Sequence, residues 1–138
     1  MKKDRNAPLE IAPQEFKKLG ITLVDRVSQY LSSLHKNGVT TAPSPSKVRK
    51  LLGEGGLPRK GIPAQRLLRQ TSELLFRNSL FNGHPRFWGY ISGSPAPIGI
   101  LGDFLASAVN PNGGAFILSP VATEMEAQTV HWIAEMIG

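Results

Sequence analysis

The stretch His84-Pro-Arg-Phe-Trp-Gly-Tyr-Ile-Ser-Gly-Ser-Pro-Ala-Pro97 decides how the chain divides into helices. It combines aromatic residues and glycines with three prolines. Because proline lacks a backbone donor and restricts the residue before it, this stretch cannot form a regular helix. We therefore expect a loop of fixed shape, called the aromatic loop below, with helical sequence on either side.

The first helix is predicted between Gln14 and His35, where apolar residues recur at three- and four-residue steps. The residues on this apolar face are Phe16, Leu19, Leu23, Val27, Tyr30, Leu31 and Leu34. Pro13 suits the first turn of the helix, and Asn37-Gly38 predicts a left-handed C-terminal stop. A long amphipathic helix of this kind needs an apolar surface of similar length to pack against.

An extended connection follows, from Val39 to Pro63, rich in proline and glycine and with one short helical run at Ser46 to Leu52. Pro63 or Ala64 then begins a second amphipathic helix that is predicted to run to Phe81 and to stop at Asn82-Gly83. The residues expected to face inward are Leu67, Leu68, Thr71, Leu74, Leu75 and Leu80.

Two more helices are predicted after the aromatic loop. One runs from Pro97 to Val109, and Ser119-Pro120 provides an N-cap and a first-turn proline for a last helix that continues to the end of the sequence. We therefore expect a mainly α-helical chain with at most very short strands. The apolar faces of these helices exceed what one small core can bury, which favours association with another chain.

Charge divides the sequence into two parts, because all sixteen lysines and arginines lie at or before Arg86. Residues 1–86 carry +16 − 6 = +10, and residues 87–138 carry −4. A basic segment is compatible with nucleic-acid binding through phosphate contacts, but no aromatic stacking platform or nucleic-acid motif accompanies it. A solvated basic face is the favoured interpretation, and we rank nucleic-acid binding last.

Several kinds of site are disfavoured by composition and spacing. The absence of cysteine removes disulfides, thiolate nucleophiles and cysteine zinc sites, and His35, His84 and His131 lack the spacing of a metal pair. Ser92-Gly93-Ser94 is not a nucleophile elbow. No run of about 18 apolar residues is present, and the start of the sequence is charged, so we expect a cytoplasmic protein without a membrane span.

A set of motifs in the second half carries a family resemblance. It comprises the run His84-Pro-Arg-Phe-Trp-Gly-Tyr90, then Asp103, then Ser119-Pro-Val-Ala-Thr-Glu-Met-Glu126, and Trp132. In order and spacing it closely resembles the N-terminal part of the pyridoxal-phosphate-dependent group II amino-acid decarboxylases, in particular those like aromatic-L-amino-acid decarboxylase. Upstream, Phe16, Gly20, Val24-Asp25 and Tyr30 also match the first helix of that family, so the resemblance covers nearly all of residues 10–138.

The resemblance implies a fold, a cofactor and an arrangement of domains. The complete enzymes have the α/β fold type I of aspartate aminotransferase and act as homodimers. Pyridoxal 5'-phosphate, held on a lysine as a Schiff base, accepts the electron pair left when an amino-acid substrate loses carbon dioxide. Residues 1–83, with the linker 39–63, resemble the helical arm that makes dimer contacts, and residues 84–138 resemble the substrate-pocket loop and the start of the large domain.

The resemblance also implies a set of substrate-binding residues. Tyr90, Ile91, Ser92 and Gly93 stand where aromatic members of the family read Tyr-Phe-Pro-Thr. The alternative for Tyr90 is a side chain packed inside the loop with its hydroxyl satisfied. Asn112 and Gly114 match positions that reach into the neighbouring subunit's pocket, or they form a turn. These departures put an aromatic substrate in doubt without naming another.

The resemblance assigns no catalytic or cofactor-binding residue within these 138 residues, because no lysine follows Lys60, the earlier lysines do not match the family's cofactor-lysine region, and no Asp-His set matches its ring-contacting residues. No metal-binding residue is assigned either. The first hypothesis is that the chain is the N-terminal segment of a decarboxylase, a carboxy-lyase of amino-acid metabolism, and is inactive alone. The alternative is a naturally short, non-catalytic interaction module that pairs with itself or with a full-length decarboxylase.

Overall fold

The computed structural model describes residues 10–53 and 55–138. Its α-helices are α1 (Pro13–Ser33), α2 (Pro45–Leu52), α3 (Ala64–Asn78), α4 (Pro97–Val109) and α5 (Pro120–Ile137). Two short 3-10 turns lie at Leu34–Lys36 and Phe116–Leu118. Within the described ranges the only β pairing is an isolated antiparallel bridge between Thr40 and Leu80. The prediction of a mainly helical chain with at most very short strands is confirmed.

The chain forms two compact units, the first ending at Ser94 and the second comprising Pro95–Gly138. Sequence reasoning instead divided the chain by role in a complete enzyme, at residues 83 and 84. That division stays a prediction. The border between the compact units falls within the aromatic loop, so residues 84–94 of the loop belong with α1 and α3.

Helix α1 begins and ends close to the predicted residues, but the conformation that terminates it is not the predicted one. Pro13 occupies its first turn, where a missing backbone donor costs nothing. The predicted left-handed stop at Asn37-Gly38 is wrong, because Asn37 is extended at φ −97° and ψ 174°. The helix instead tightens into the 3-10 turn, and Asn37 donates from its backbone N–H to Leu34 O at 3.2 Å and from Nδ2 to Ser33 O at 3.1 Å.

Helix α3 ends at Asn78, three residues before the predicted end. Leu80 pairs with Thr40, and the Phe81 N–H donates to Val39 O at 2.9 Å, so the chain leaves the helix to meet the extended connection. The predicted inward face is also wrong in part. Leu67, Leu75 and Leu80 are 51%, 58% and 40% exposed, and Thr71 is exposed too, whereas Leu68 and Leu74 are half-buried.

The face of α3 that packs on α1 carries a polar residue at its centre. Ser72 is buried, and its Oγ accepts a 2.6 Å hydrogen bond from Arg26 Nε of α1. One helical turn on, Phe76 stacks on Tyr30 with ring centroids 4.4 Å apart and planes 9° apart. Such pairs contribute roughly 0.5–1.5 kcal/mol beyond the area they bury.

The core of the first unit is small. Its buried apolar residues are Leu19 and Leu34 from the α1 region and Phe81 from the segment after α3. Phe81 also meets the Tyr30 ring edge-on, with centroids 6.0 Å apart. Tyr30 therefore connects both helices to the base of the aromatic loop.

The second unit contains α4 and α5 joined by the turn chemistry that the sequence predicts. Pro97 and Pro120 lie in the first turns, and Asn110 closes α4 in the left-handed conformation at φ 48°. Ser119 occupies the N-cap position of α5, but its side chain makes no capping bond; its carbonyl accepts from Thr123 Oγ1 at 2.9 Å. No residue of this unit is buried.

No helix within the described ranges is both long and apolar enough to cross a bilayer.

Candidate functional site

The base of the aromatic loop is fixed by contacts with the start of the extended connection. The Thr40–Leu80 bridge and the bond from Phe81 N–H to Val39 O lie immediately before the loop. Phe81 itself is only 4% exposed. The loop therefore begins from a packed, hydrogen-bonded position.

His84 is the most buried polar residue within the described ranges, at 3% exposure. Its Nδ1 accepts a 3.0 Å hydrogen bond from the Arg86 N–H, and its Nε2 lies 3.0 Å from the Asn37 carbonyl oxygen. Because an N–H can only donate and a carbonyl can only accept, Nδ1 carries no proton and Nε2 carries one. In the sequence analysis His84 appears as the first residue of the family motif and as a disfavoured metal ligand, and its bond to Asn37 was missed because nothing local in the sequence relates the two residues.

The two ends of the loop are also joined. The Ser94 hydroxyl donates to the Asn82 carbonyl at 3.2 Å, across 12 residues. Inside the loop, the His84 N–H donates to Phe81 O and the Phe87 N–H donates to His84 O, both at 2.9 Å. These bonds give the first part of the loop the fixed shape that its prolines predict.

The tip of the loop is fully presented to the surroundings. Trp88, Tyr90 and Ile91 are 91%, 87% and 107% exposed. The Phe87 ring, which is half-buried, lies 6.4 Å from the Tyr90 ring at a tilt of 30°. The tip is thus a row of large apolar side chains that the described residues leave exposed.

Tyr90 adopts a backbone conformation that is unusual for its residue type. Its φ is +60°, in the left-handed region that disfavours bulky side chains. Such strain persists where surrounding structure imposes it and is frequent at ligand-binding positions. The alternative of a tyrosine packed inside the loop is wrong, because the side chain is exposed.

The other residues predicted to bind substrate lie in two places. Ile91, Ser92 and Gly93 follow Tyr90 along the exposed tip in the first unit. Asn112 and Gly114 lie in the second unit, where Asn112 Oδ1 accepts from the Gly114 N–H at 2.9 Å. The structure therefore brings Asn112 and Gly114 together as a turn, the alternative considered for them, and contact with substrate stays a prediction for all six residues.

A groove of about 700 Å³ lies between α1 and α3. Tyr30, Phe76 and Arg77 line it, together with Arg26. The Arg26 guanidinium is engaged elsewhere, with Ser72 Oγ, with the Arg69 carbonyl at 3.3 Å and with Glu73 at 3.6 Å. Burial raises the pKa of the Tyr30 hydroxyl above its usual 10.0.

The lysines do not fit a pyridoxal phosphate site. A Schiff-base lysine has to lie in an enclosed pocket, shielded from bulk water. Every lysine within the described ranges is exposed and belongs to the first unit, and residues 61–138 contain none. The described residues therefore do not hold the cofactor by themselves, and we assign none of them a step in its chemistry. Nor do the described residues contain a group of three histidine, aspartate or glutamate side chains placed to hold a metal ion.

Comparison with known proteins identifies relatives along most of the chain. A sequence model of the family described as "Pyridoxal-dependent decarboxylase conserved domain" matches residues 45–138. Phenylacetaldehyde synthase of Petunia hybrida is 29% identical over 126 residues, which are 91% of this chain and 25% of that protein. Aromatic-L-amino-acid decarboxylase of Bacillus atrophaeus is 27% identical over 130 residues, 94% of this chain and 27% of that protein. The chain thus spans about a quarter of the length of these curated relatives.

Two solved structures share the fold. The crystal structure of Rhodiola rosea 4-hydroxyphenylacetaldehyde synthase matches with a TM-score of 0.80 and 26% identity, over 96% of this chain and 28% of that one. The glutamate decarboxylase domain of a Vibrio parahaemolyticus protein matches with a TM-score of 0.68 and 18% identity, over 90% of this chain and 30% of that one.

Proposed function

Because the chain belongs to the pyridoxal-dependent decarboxylase family, we propose that it is the N-terminal segment of an amino-acid decarboxylase and supplies one wall of that enzyme's substrate pocket. The cofactor of the complete enzyme is pyridoxal phosphate, which withdraws the electron pair released when a carboxylate leaves as carbon dioxide. The role that we propose for this chain is to hold and orient the substrate.

The exposed tip of the aromatic loop is the observation that carries this proposal. Trp88, Tyr90 and Ile91 extend from a base that is buried and hydrogen-bonded, so the loop from which they project is anchored before any ligand arrives. Large apolar side chains presented on a fixed loop are typical of binding surfaces. A preorganised wall of this kind lowers the entropy cost of orienting a substrate.

The resemblance implies dimer contacts by residues 1–83, and the uncovered helices of the second unit offer a further apolar surface for assembly. On α4, Ile98, Leu101, Leu105 and Val109 lie on one face and are 77%, 51%, 66% and 67% exposed. Burial of such a face against another chain, or against more of the same enzyme, removes this area from water. We propose a homodimer as the assembled form.

We propose that the 138 residues are inactive by themselves. A covalent bond to the cofactor needs a lysine amine in an enclosed site, and the lysines in residues 10–53 and 55–138 are exposed. The substrate is an amino acid. The residues Tyr90-Ile-Ser-Gly93 at the tip help to select which amino-acid side chain the enzyme accepts.

The test starts from the protein in its native cell. An antibody against residues 10–53 would isolate it, and intact mass and release of carbon dioxide from amino acids would be measured on the isolate. We expect a mass several times 15.0 kDa and activity that depends on pyridoxal phosphate. The purified 138-residue chain with added cofactor is the control and should release none.

A native mass of 15.0 kDa without activity would overturn the proposal. That result would favour the naturally short interaction module, which should then bind a full-length decarboxylase in the same isolate.

A further inference from the structure

His84 controls the hydrogen bonding of the aromatic loop to an unusual degree. Between residues 85 and 93, the backbone donors with a hydrogen bond in the described structure are those of Arg86 and Phe87. Both donate to His84, one to its ring and one to its carbonyl oxygen. The path of the chain toward Tyr90 is therefore set by the position of this one residue.

The position of His84 is set in turn by the end of α1. Its Nε2–H donates to the carbonyl of Asn37, which is 47 residues away in sequence. Asn37 is itself held to α1, because its Nδ2 donates to Ser33 O. A continuous series of hydrogen bonds thus links α1, Asn37, His84 and Arg86.

The remaining contacts of the loop cannot replace this link. The Thr40–Leu80 bridge and the Phe81–Val39 bond lie before His84, and the Ser94–Asn82 bond is exposed to water. The two bonds of the His84 ring are partly buried, and a hydrogen bond with less access to water contributes more to a fixed geometry than an exposed one.

We infer that His84 is a positioning residue, which holds the aromatic loop against the end of α1 and so determines where Tyr90 meets the substrate. This inference rests on the proposed function, because it assumes that Tyr90 lines the substrate pocket. It adds that the substrate contact depends on a bond between the loop and the helical arm.

Two conservative substitutions separate the two bonds of the ring. In His84→Asn, the short side chain can still accept from the Arg86 N–H, as asparagine does in local turns, but it does not reach Asn37. In His84→Gln, the longer side chain can donate to the Asn37 carbonyl but no longer places an acceptor at the Nδ1 position. His131→Asn is the matched control, because the His131 side chain is 71% exposed.

Amide hydrogen exchange on the 138-residue chain tests the link without any activity. We expect His84→Asn to speed exchange of the Phe81 and Phe87 amides about tenfold, and to leave the Arg86 amide protected. His84→Gln should speed exchange of the Arg86 amide and leave the Phe81 and Phe87 amides protected. His131→Asn should change the exchange of none of these amides. Unchanged exchange at Phe81 and Phe87 in His84→Asn, with helical circular dichroism retained, would overturn the inference.

Steady-state kinetics on the native enzyme tests the positioning role. We expect His84→Asn to raise KM about tenfold with little change in kcat, and His84→Gln to restore KM most of the way. Equal KM in the His84→Asn enzyme and the unmodified enzyme would overturn the positioning role.

A third variant, Tyr90→Ala, separates the inference from the proposed function. If Tyr90→Ala leaves KM unchanged, the loop is not a wall of the pocket, and both the proposed function and the positioning role fail. If Tyr90→Ala raises KM while His84→Asn does not, the proposed function stands and only the inference fails.

Discussion

At the scale of single residues, Tyr90 combines a strained backbone conformation with an exposed side chain. Its φ of +60° disfavours a bulky side chain, yet that side chain is 87% exposed, and its ring contact is the one with Phe87, whose centroid lies 6.4 Å away. Sequence alone singled out Tyr90 through the family resemblance, but the strain depends on backbone angles that no residue pattern encodes.

Replacing Tyr90 with glycine should therefore stabilise the chain. Tyr90→Gly removes the left-handed penalty, and we expect the free energy of unfolding to rise by about 1 kcal/mol. Urea denaturation measures the change. Ile91→Gly is the control, because Ile91 is also exposed but has no positive φ, and it should lower stability or leave it unchanged. Equal effects of the two substitutions would contradict the prediction.

Tyr30 gives a prediction about pH. Burial raises the pKa of its hydroxyl above 10.0, so the folded chain keeps this proton to higher pH than the unfolded chain does. The contribution of the protonated Tyr30 hydroxyl to the free energy of unfolding is fully present below pH 10, and it is lost as pH rises through the pKa of the folded chain.

The Tyr90→Phe variant leaves Tyr30 as the sole tyrosine, since the sequence has two. Its tyrosinate absorbance should titrate with a midpoint above 10.0 in buffer, and the midpoint should fall toward 10.0 in concentrated denaturant. Equal midpoints in the two solvents would show that Tyr30 is not desolvated by the fold.

At the scale of elements, helix starts were predicted well and helix ends less well. Pro13, Pro97 and Pro120 lie in first turns as predicted, because a first-turn proline is a local signal. The end of α3 was placed three residues too late, since its true end depends on pairing of Leu80 with Thr40, 40 residues earlier. The same reason explains why the His84–Asn37 bond could not be predicted.

The packing of α1 on α3 should depend on Arg26. The Arg26→Met substitution keeps the aliphatic stem and removes the bonds to Ser72 Oγ and the Arg69 carbonyl. We expect a loss of about 1–2 kcal/mol in the free energy of unfolding, measured in urea. Arg66→Met on the exposed side of α3 should cost less than about 0.5 kcal/mol. A cost for Arg26→Met no larger than that of the control would rule out a structural role for this contact.

At the scale of the whole molecule, the sequence predicted more apolar surface than the chain can bury. Among the described apolar residues of the first unit only Leu19, Leu34 and Phe81 are buried, and no residue of the second unit is buried. The pattern of apolar residues predicts this excess, because several helices each carry an apolar face and one small core cannot bury them all. The surface that covers the excess could not be predicted in the same way, because the residue pattern of one helix does not specify its packing partner.

The face of α4 gives the corresponding prediction. We expect sedimentation of the purified chain to give a mass above 15.0 kDa, the mass of one copy. Replacing both Leu101 and Leu105 by glutamine should bring the measured mass closer to that of one copy. Substituting Asp103 and Ser107 by glutamine, on the opposite side of α4, is the control and should leave sedimentation unchanged. Equal sedimentation of the two double variants would mean that this face of α4 does not mediate association.

The hydrogen bond that joins Ser94 to Asn82 has an evolutionary consequence. It closes the loop below its tip, and a side chain added at Gly93 would meet no atom within 4 Å. Residues 91–93 are exposed, so their replacement disturbs no internal packing. If the tip contacts substrate as we propose, we therefore expect mutations at residues 91–93 to change substrate preference during evolution without requiring mutations elsewhere to restore folding.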